Sequence, residues 1–153
     1  MGNHLSKIEC LPGVLTDFID LMELKVAEMP ARNKYVALVI DEMTIQSKYV
    51  FDNHTQSFLG QPTIPCSEGV IKNRLKEDPS WDQEEALASH ALNAMFHGLC
   101  ESFKGMAGVE FTDNGFCPKA VAKWMKKMIQ KAYDVCLIVR AIVMDMGGGN
   151  MGI

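Results

Sequence analysis

The sequence predicts an α/β protein with a mixed sheet (α+β in its strand arrangement), and three observations support this. Two continuous apolar runs, YVALVI at residues 35–40 and LIVRAIVM at 137–144, have the composition of strands covered on both faces. An amphipathic segment at 118–134 has helical periodicity and directly precedes the second run. A helix that feeds such a strand is typical of a crossover between parallel strands. We therefore expect both apolar strands to run parallel in the sheet centre.

The elements around the first apolar strand follow from local signals. A helix is predicted from about Val14 to Met29, because its apolar residues keep a helical spacing and Pro12 and Pro30 flank it. After the strand, SKYVFDNHTQSFLG contains a polar turn between two short β-like runs, which predicts a hairpin. Residues 61–82 are rich in proline, serine and charge, so we expect a long loop with at most a helical turn at 69–76.

The second half of the chain contains one ambiguous segment and two clear elements. Residues 83–105 are rich in helix-forming residues, although a short strand could lie in HALNAMFHGL. MAGVEFT, at 106–112, predicts a strand. The segment from Pro118 is the clearest helix, since proline suits the first helical position. Its apolar stripe, with lysines on the opposite side, consists of Val121, Trp124, Met125, Met128, Ile129 and Ala132.

Composition limits the possible functions. The length of 153 residues suits one domain, and no apolar run reaches the roughly 18 residues that predict a membrane span. Five cysteines without C-x-x-C spacing indicate reduced thiols, so we expect a nuclear or cytoplasmic protein that is not secreted. The net charge of −4 gives no overall signature of nucleic-acid binding. We therefore expect most contacts with any bound DNA to be made by parts outside this chain.

Each of the two apolar strands runs into an aspartate. Asp41 and Asp145 would lie near the carboxyl ends of parallel strands, the edge where open α/β sheets place their sites. Two carboxylates held close together suit Mg²⁺ or Mn²⁺, and such ions promote phosphodiester cleavage. In the alternative interpretation, each aspartate simply ends a strand at the solvent edge. Glu42 should point to the opposite side from Asp41, because side chains alternate along a strand.

Two other types of site were weighed. The run MDMGGGNMG resembles the glycine loop of S-adenosylmethionine-dependent methyltransferases, but only eight residues follow Asp145 in this sequence. His90 and His97 are seven residues apart without a nearby cysteine or third ligand, which argues against zinc. Trp124 is expected in the core rather than on a base-stacking surface.

Two motifs together resemble a known family. YVALVIDEMTIQSKYVFDNHTQSFLG is similar to the opening of the RNase H-like catalytic domain of P element and THAP-domain-containing transposases. The resemblance continues through ALNAMFHGLCESFKGMAGVEFT and IVRAIVMDMGGGN, where the family has a similar Asp-x-Gly-x-x-Asn motif. It covers roughly residues 8–150. The resemblance implies a partial RNase H-like fold with three antiparallel strands, a helix and a fourth strand parallel to the first.

The resemblance also assigns residues and boundaries. It implies that 91–99 is a strand, that Asp41 and Asp145 are the first two catalytic, metal-binding acids, and that Asn150 is structural. Residues 1–34 would form a helical lead-in and 35–153 the N-terminal half of the transposase domain. The implied activity is metal-dependent DNA cleavage and strand transfer, which is DNA transposition.

The sequence departs from the family's pattern in what it lacks. The family has a third acid, a glutamate, beyond an inserted domain similar to a GTP-binding module, and an N-terminal zinc-coordinating domain that binds DNA. None of these is found here, so GTP binding and DNA recognition would belong to absent domains. We expect a transposase fragment, inactive alone, or alternatively a domesticated non-catalytic interaction protein. The family's remaining helices and fifth strand are also missing from this sequence. The resemblance therefore puts the last apolar strand at a sheet edge, in contrast to the central position that its composition indicates, and an apolar edge strand predicts self-association.

Overall fold

A computed structural model describes residues 11–53, 56–80, 86–113 and 115–144. The described elements are three α-helices, a short 3₁₀ helix and seven strands. The helices are α1 (Thr16–Glu28), α2 (Glu68–Glu77) and α3 (Pro118–Asp134), with the 3₁₀ turn at Ala31–Lys34. The strands are β1 (Gly13–Val14), β2 (Tyr35–Thr44), β3 (Val50–Asp52), β4 (Ser57–Leu59), β5 (His90–Gly98), β6 (Lys104–Thr112) and β7 (Ile138–Met144).

Five of the strands form one mixed sheet in the order β1-β6-β5-β2-β7, and β3 and β4 form a separate antiparallel pair. Hydrogen bonds at the two ends of β2, from Leu99 N–H to the Tyr35 carbonyl and from Ile45 N–H to the Ser89 carbonyl, show that β5 runs antiparallel to it. β7 pairs with β2 in parallel. The predicted arrangement of three antiparallel strands, a helix and a parallel fourth strand is therefore confirmed.

The interior of β2 is buried as predicted, but its length and the position of β7 differ from prediction. β2 does not end at Asp41; it continues to Thr44, and its last four residues are exposed. β7 lies at the edge of the sheet rather than in its centre, and most of its residues are exposed. The periodicity of β7 could not show this, because a continuous apolar run does not reveal how many neighbours a strand has.

Three segments between the main strands also have defined structure. The predicted hairpin is present as β3 and β4, with the Phe51 and Phe58 rings in edge-on contact at 5.2 Å between centroids. The predicted loop at 61–82 contains a ten-residue helix, α2, which is longer than the single turn expected. Ser67 caps α2, since its hydroxyl oxygen accepts from Val70 N–H. The ambiguous segment forms β5, as the resemblance implied.

The described chain divides into two units. The first comprises residues 11–41, 93–109 and 124–144. Within it, two glycines of β6 allow helices to approach on opposite faces of the strand. The Met22 side chain of α1 occupies the space beside Gly105, and Trp124 and Met128 of α3 lie against Gly108. Since residues three apart on a strand face opposite ways, α1 and α3 cover the two faces of β6.

The second unit comprises the described residues of 42–92 and 110–123. It contains the hairpin, α2, and the ends of β5 and β6. Its buried apolar residues are Ile64, Cys66, Ala86, Ala88, Ala91, Leu92, Phe116 and Val121, and its buried polar residues are Thr112 and Asp113. The two buried polar residues are adjacent at the end of β6, so charge is present inside this unit.

Candidate functional site

Asp41 lies where β2 changes from buried to exposed. Val36, Leu38 and Ile40 are at most 3% exposed, whereas Asp41 and the next three residues are exposed. The apolar half of the strand therefore holds the backbone, and the carboxylate faces solvent. The Asp41 carboxylate makes no hydrogen bond or ion pair with another described residue. This leaves both of its oxygens available to an external cation or donor.

The register between β2 and β7 brings the residues just before the two predicted acids together. Tyr35 pairs with Ile138 at the start of the ladder, and Ile40 pairs with Met144 at its end, with one irregularity after Val36. Asp41 is the next residue on β2. The second predicted acid, Asp145, follows Met144 in sequence but lies outside the described residues. The glycines at 147–149 and Asn150 also lie outside them.

The donor chemistry at Asp41 suits a hard divalent cation, because carboxylate oxygens are ligands that Mg²⁺ prefers. Within the described part of the chain, no three His, Cys, Asp or Glu side chains are grouped so that they could hold a metal ion. Asp41 could supply one ligand, and a metal site there would need at least one more. Glu42 is also exposed, and as the adjacent strand residue it points to the other side of β2.

A second carboxylate, which the sequence analysis did not single out, is buried at the end of β6. Asp113 is 5% exposed, and its Oδ2 lies 2.8 Å from Nη1 of Arg74 on α2. Its other oxygen, Oδ1, accepts a hydrogen bond of 3.3 Å from the Ser89 hydroxyl, which also lies 2.8 Å from His90 Nδ1. The charge of Asp113 is therefore neutralised inside the protein and is not available to a cation.

The ion pair between Arg74 and Asp113 anchors α2. No residue of α2 is buried, so apolar burial contributes little to holding this helix. Cys66 lies close by, and its thiol donates to the Asp113 carbonyl at 3.2 Å. Burial raises the pKa of the Cys66 thiol, the Asp113 charge raises it further, and Arg74 partly opposes both effects. The arrangement is a structural polar cluster with an unreactive thiol.

The sequence contained a signal for this cluster. The predicted strand MAGVEFT runs directly into Asp113, which is the same pattern that drew attention to Asp41 and Asp145. The pattern alone could not separate an exposed acid from a buried one. That distinction depends on Arg74, which is 39 residues earlier in the chain and lay in a segment predicted to be mostly loop.

The remaining sequence candidates have ordinary surroundings. His90 and His97 both lie on β5; His90 contacts Ser89, and His97 is exposed with Nδ1 3.0 Å from the Gly98 carbonyl oxygen. Trp124 is 4% exposed, which confirms its place in the core.

An apolar cavity of about 230 Å³ lies in the second unit. It is lined by Ile45, Gln46, Lys48, Val50, Leu59, Gly60, Ala88 and Phe111.

Residues 10–153 match the family described as TNP-like, RNase H N-terminal domain. The chain belongs to this family. Its fold is similar to that of a chain in the Drosophila P element transposase strand transfer complex, with a TM-score of 0.67 and 20% sequence identity. The similarity covers 97% of this chain and 26% of that one, so this chain spans about a quarter of the length of the transposase chain. No curated protein sequence matches it.

Membership in the TNP-like RNase H N-terminal family accounts for the sheet described above. β2, β5 and β6 are the antiparallel strands, α3 is the helix, and β7 is the parallel fourth strand. The resemblance recognised in the sequence is thereby confirmed at the level of family and fold. Among the described residues, no helix combines the length and apolar character needed to cross a membrane.

Proposed function

We propose that this chain is the first part of the catalytic domain of a P element-like DNA transposase, with Asp41 and Asp145 as its two metal-binding acids. The observation that carries the proposal is the β2–β7 register. This chain belongs to an RNase H family, and in it the β2–β7 ladder pairs Ile40 with Met144. These two residues immediately precede the two aspartates. Parallel strands with matched ends favour two acids at one edge of the sheet.

The chemistry follows from the two carboxylates. Held within a few ångströms of each other, they repel, and a shared cation relieves that repulsion. A bound Mg²⁺ or Mn²⁺ supplies positive charge that stabilises the attacking and leaving oxygens of a phosphodiester. The contribution of β2 is orientation, because its buried residues fix the backbone on which Asp41 stands. DNA is the proposed substrate and the nucleus the proposed location.

The test is metal binding, which needs only the two acids. Isothermal titration of Mn²⁺ into the chain should show binding that weakens at least tenfold in Asp41→Asn and in Asp145→Asn. Asp20→Asn provides a matched control, since Asp20 is an exposed aspartate on α1. Equal Mn²⁺ affinity in wild type and Asp41→Asn would overturn the two-acid site. It would favour the alternative of a non-catalytic protein that kept the fold.

We also propose that the chain self-associates through β7. This strand lies at the sheet edge, and Ile142 and Val143 are 47% and 50% exposed. One side of its backbone has no partner among the described strands, and an apolar edge of this kind pairs readily with another strand. The opposite edge is protected by contrast, because β1 has only two residues. Sedimentation of the wild-type chain and of Val143→Lys tests this proposal.

A further inference from the structure

We propose that the exposed face of α3 binds the phosphate backbone of double-stranded DNA. This face, called the lysine face below, consists of Lys119, Lys123, Lys126, Lys127 and Lys131. It lies outside the predicted metal site and does not depend on either acid. The choice of DNA as the bound polyanion rests on the proposed function. The choice of the lysine face as the binding surface rests on the charges of α3.

The five lysines lie on one side of the helix. At 3.6 residues per turn they fall within an arc of about 140°, opposite the buried stripe that contains Met128 and Ala132. Four of the five are exposed, and Lys131 is half-buried. From Lys119 to Lys131 the face extends about 18 Å along the helix axis, a length that spans about five base pairs of duplex DNA.

The charges of the lysine face are not neutralised by the protein. α3 carries five lysines and a single acid, Asp134, so its net charge is +4 in a chain of net charge −4. Asp134 lies at the end of the helix, where Gln130 Nε2 donates to it at 3.0 Å. No lysine of this face forms an ion pair with a carboxylate in the described part of the chain.

This pattern is unfavourable for the isolated helix. Lys119, Lys123, Lys127 and Lys131 form three consecutive i,i+4 pairs of like charge, and each pair costs roughly 0.2–0.5 kcal/mol. The exposed helix α2 mixes charge signs more evenly, with a glutamate at each end and Lys72, Arg74 and Lys76 between them, and it contains a single i,i+4 pair of lysines, Lys72 and Lys76. Repeated like-charge pairs on one face of a helix oppose its stability. Such an exception is expected where that face has a binding role.

Two observations select DNA over a membrane surface. A helix that binds membranes inserts its apolar face among the lipids. The apolar face of α3 is not available, because Val121, Met128 and Ala132 are completely buried in the protein. What remains exposed is a row of ammonium groups, which fits a polyanion that stays in water. The overall negative charge of the chain limits this attraction to low salt and to the local surface.

The experiment measures binding of the whole chain to a fluorescent duplex of about 20 base pairs, between about 50 and 200 mM salt. EDTA is present throughout, so that metal binding plays no part. Lys126→Gln/Lys127→Gln should weaken binding at least tenfold at the low salt concentration. It should also reduce the slope of log K against log salt by about two, because each phosphate contact contributes about one.

The matched control is Lys72→Gln/Lys76→Gln, which removes two exposed lysines from α2 and changes the net charge equally. Its DNA affinity should stay within twofold of wild type. Glutamine is a good helix former, and an unchanged circular dichroism melt would verify that both double variants fold.

Three results would overturn the proposal. These are no binding by the wild-type chain at low salt, equal loss in the two double variants, and binding to phosphatidylserine vesicles through the same lysines without binding to DNA. The outcome is separate from that of the metal test. Loss of Mn²⁺ binding in Asp41→Asn bears on the catalytic proposal alone, while the lysine variants bear only on the DNA-binding face.

Discussion

Asp41 and Asp113 are both aspartates on or beside apolar strands, yet their surroundings are opposite. Asp41 is exposed and has no described partner, while Asp113 is 5% exposed and is paired with Arg74 at 2.8 Å. A buried carboxylate needs a cation or donors to offset its desolvation, and the protein supplies both to Asp113. The exposed Asp41 carboxylate bears no such desolvation cost, and so it can interact with a cationic ligand.

The comparison shows what the pattern of an apolar run followed by Asp can and cannot predict. It identifies places where an apolar run ends, because charged residues are rarely buried unless they are paired. It does not tell whether the acid turns to solvent or to a basic partner elsewhere in the chain. Asp41 remains a candidate metal ligand because no described residue pairs with its carboxylate, whereas Asp113 is excluded because its carboxylate pairs with Arg74.

The largest expected effect separates the two acids by stability. Asp113→Ala removes the buried carboxylate that pairs with Arg74 and accepts from Ser89, and should lower the free energy of unfolding by about 2 kcal/mol. Asp41→Ala removes an exposed side chain and should change it by less than about 0.5 kcal/mol. Urea unfolding followed by tryptophan fluorescence measures both.

Arg74→Met provides the control for this pair. It leaves the buried Asp113 carboxylate without its cation, with the Ser89 hydroxyl still donating to it, so it should destabilise the protein to a similar extent. If Asp41→Ala proved as destabilising as Asp113→Ala, Asp41 would have a structural partner of its own, and the contrast would fail.

β7, the third strand that leads to an aspartate, gives the second prediction. A lysine at an exposed position of an edge strand opposes pairing with another strand. Val143→Lys should therefore weaken self-association at least tenfold, as measured by sedimentation over a range of protein concentrations. Leu24→Lys is the control, since it adds the same charge at a 74% exposed position on α1. A wild-type chain that stays monomeric at every concentration would contradict association through β7.

Much of the fold was predictable because the strands and helices carry their own periodicity. The buried half of β2, the hairpin, and α3 with its buried stripe all follow from local sequence. β5 did not, because HALNAMFHG has helical composition, and its pairing with β2 and β6 overrides that preference. Only the family resemblance gave the correct interpretation of that segment.

The site was predictable in part. Asp41 was singled out from its place at the end of a buried run, and the structure shows that it is exposed, while its role as a metal ligand stays a prediction. The edge position of β7 was expected from the family resemblance and not from its apolar run. The ion pair of Asp113 depends on a contact between distant segments, which one sequence does not reveal. The lysine face was visible as lysines opposite a stripe, but the overall charge of −4 concealed its significance. Net charge is a sum over the chain, whereas binding depends on local charge.

The smallest expected effect uses the thiol beside Asp113. Burial and the Asp113 charge raise the pKa of Cys66 above its ordinary value of 9.0 in the folded protein, so the thiol keeps its proton there when the unfolded chain loses it. The unfolded state then binds fewer protons, and the free energy of unfolding falls as pH rises above about 9. Below that pH the contribution is fully present.

Urea unfolding at about pH 8 and about pH 10 should show this loss in wild type and not in Cys66→Ala. Cys136→Ala, which changes an exposed cysteine, should behave as wild type. Identical pH dependence in all three proteins would mean that Asp113 and its surroundings exert no influence on Cys66, and that the cluster acts only through Arg74.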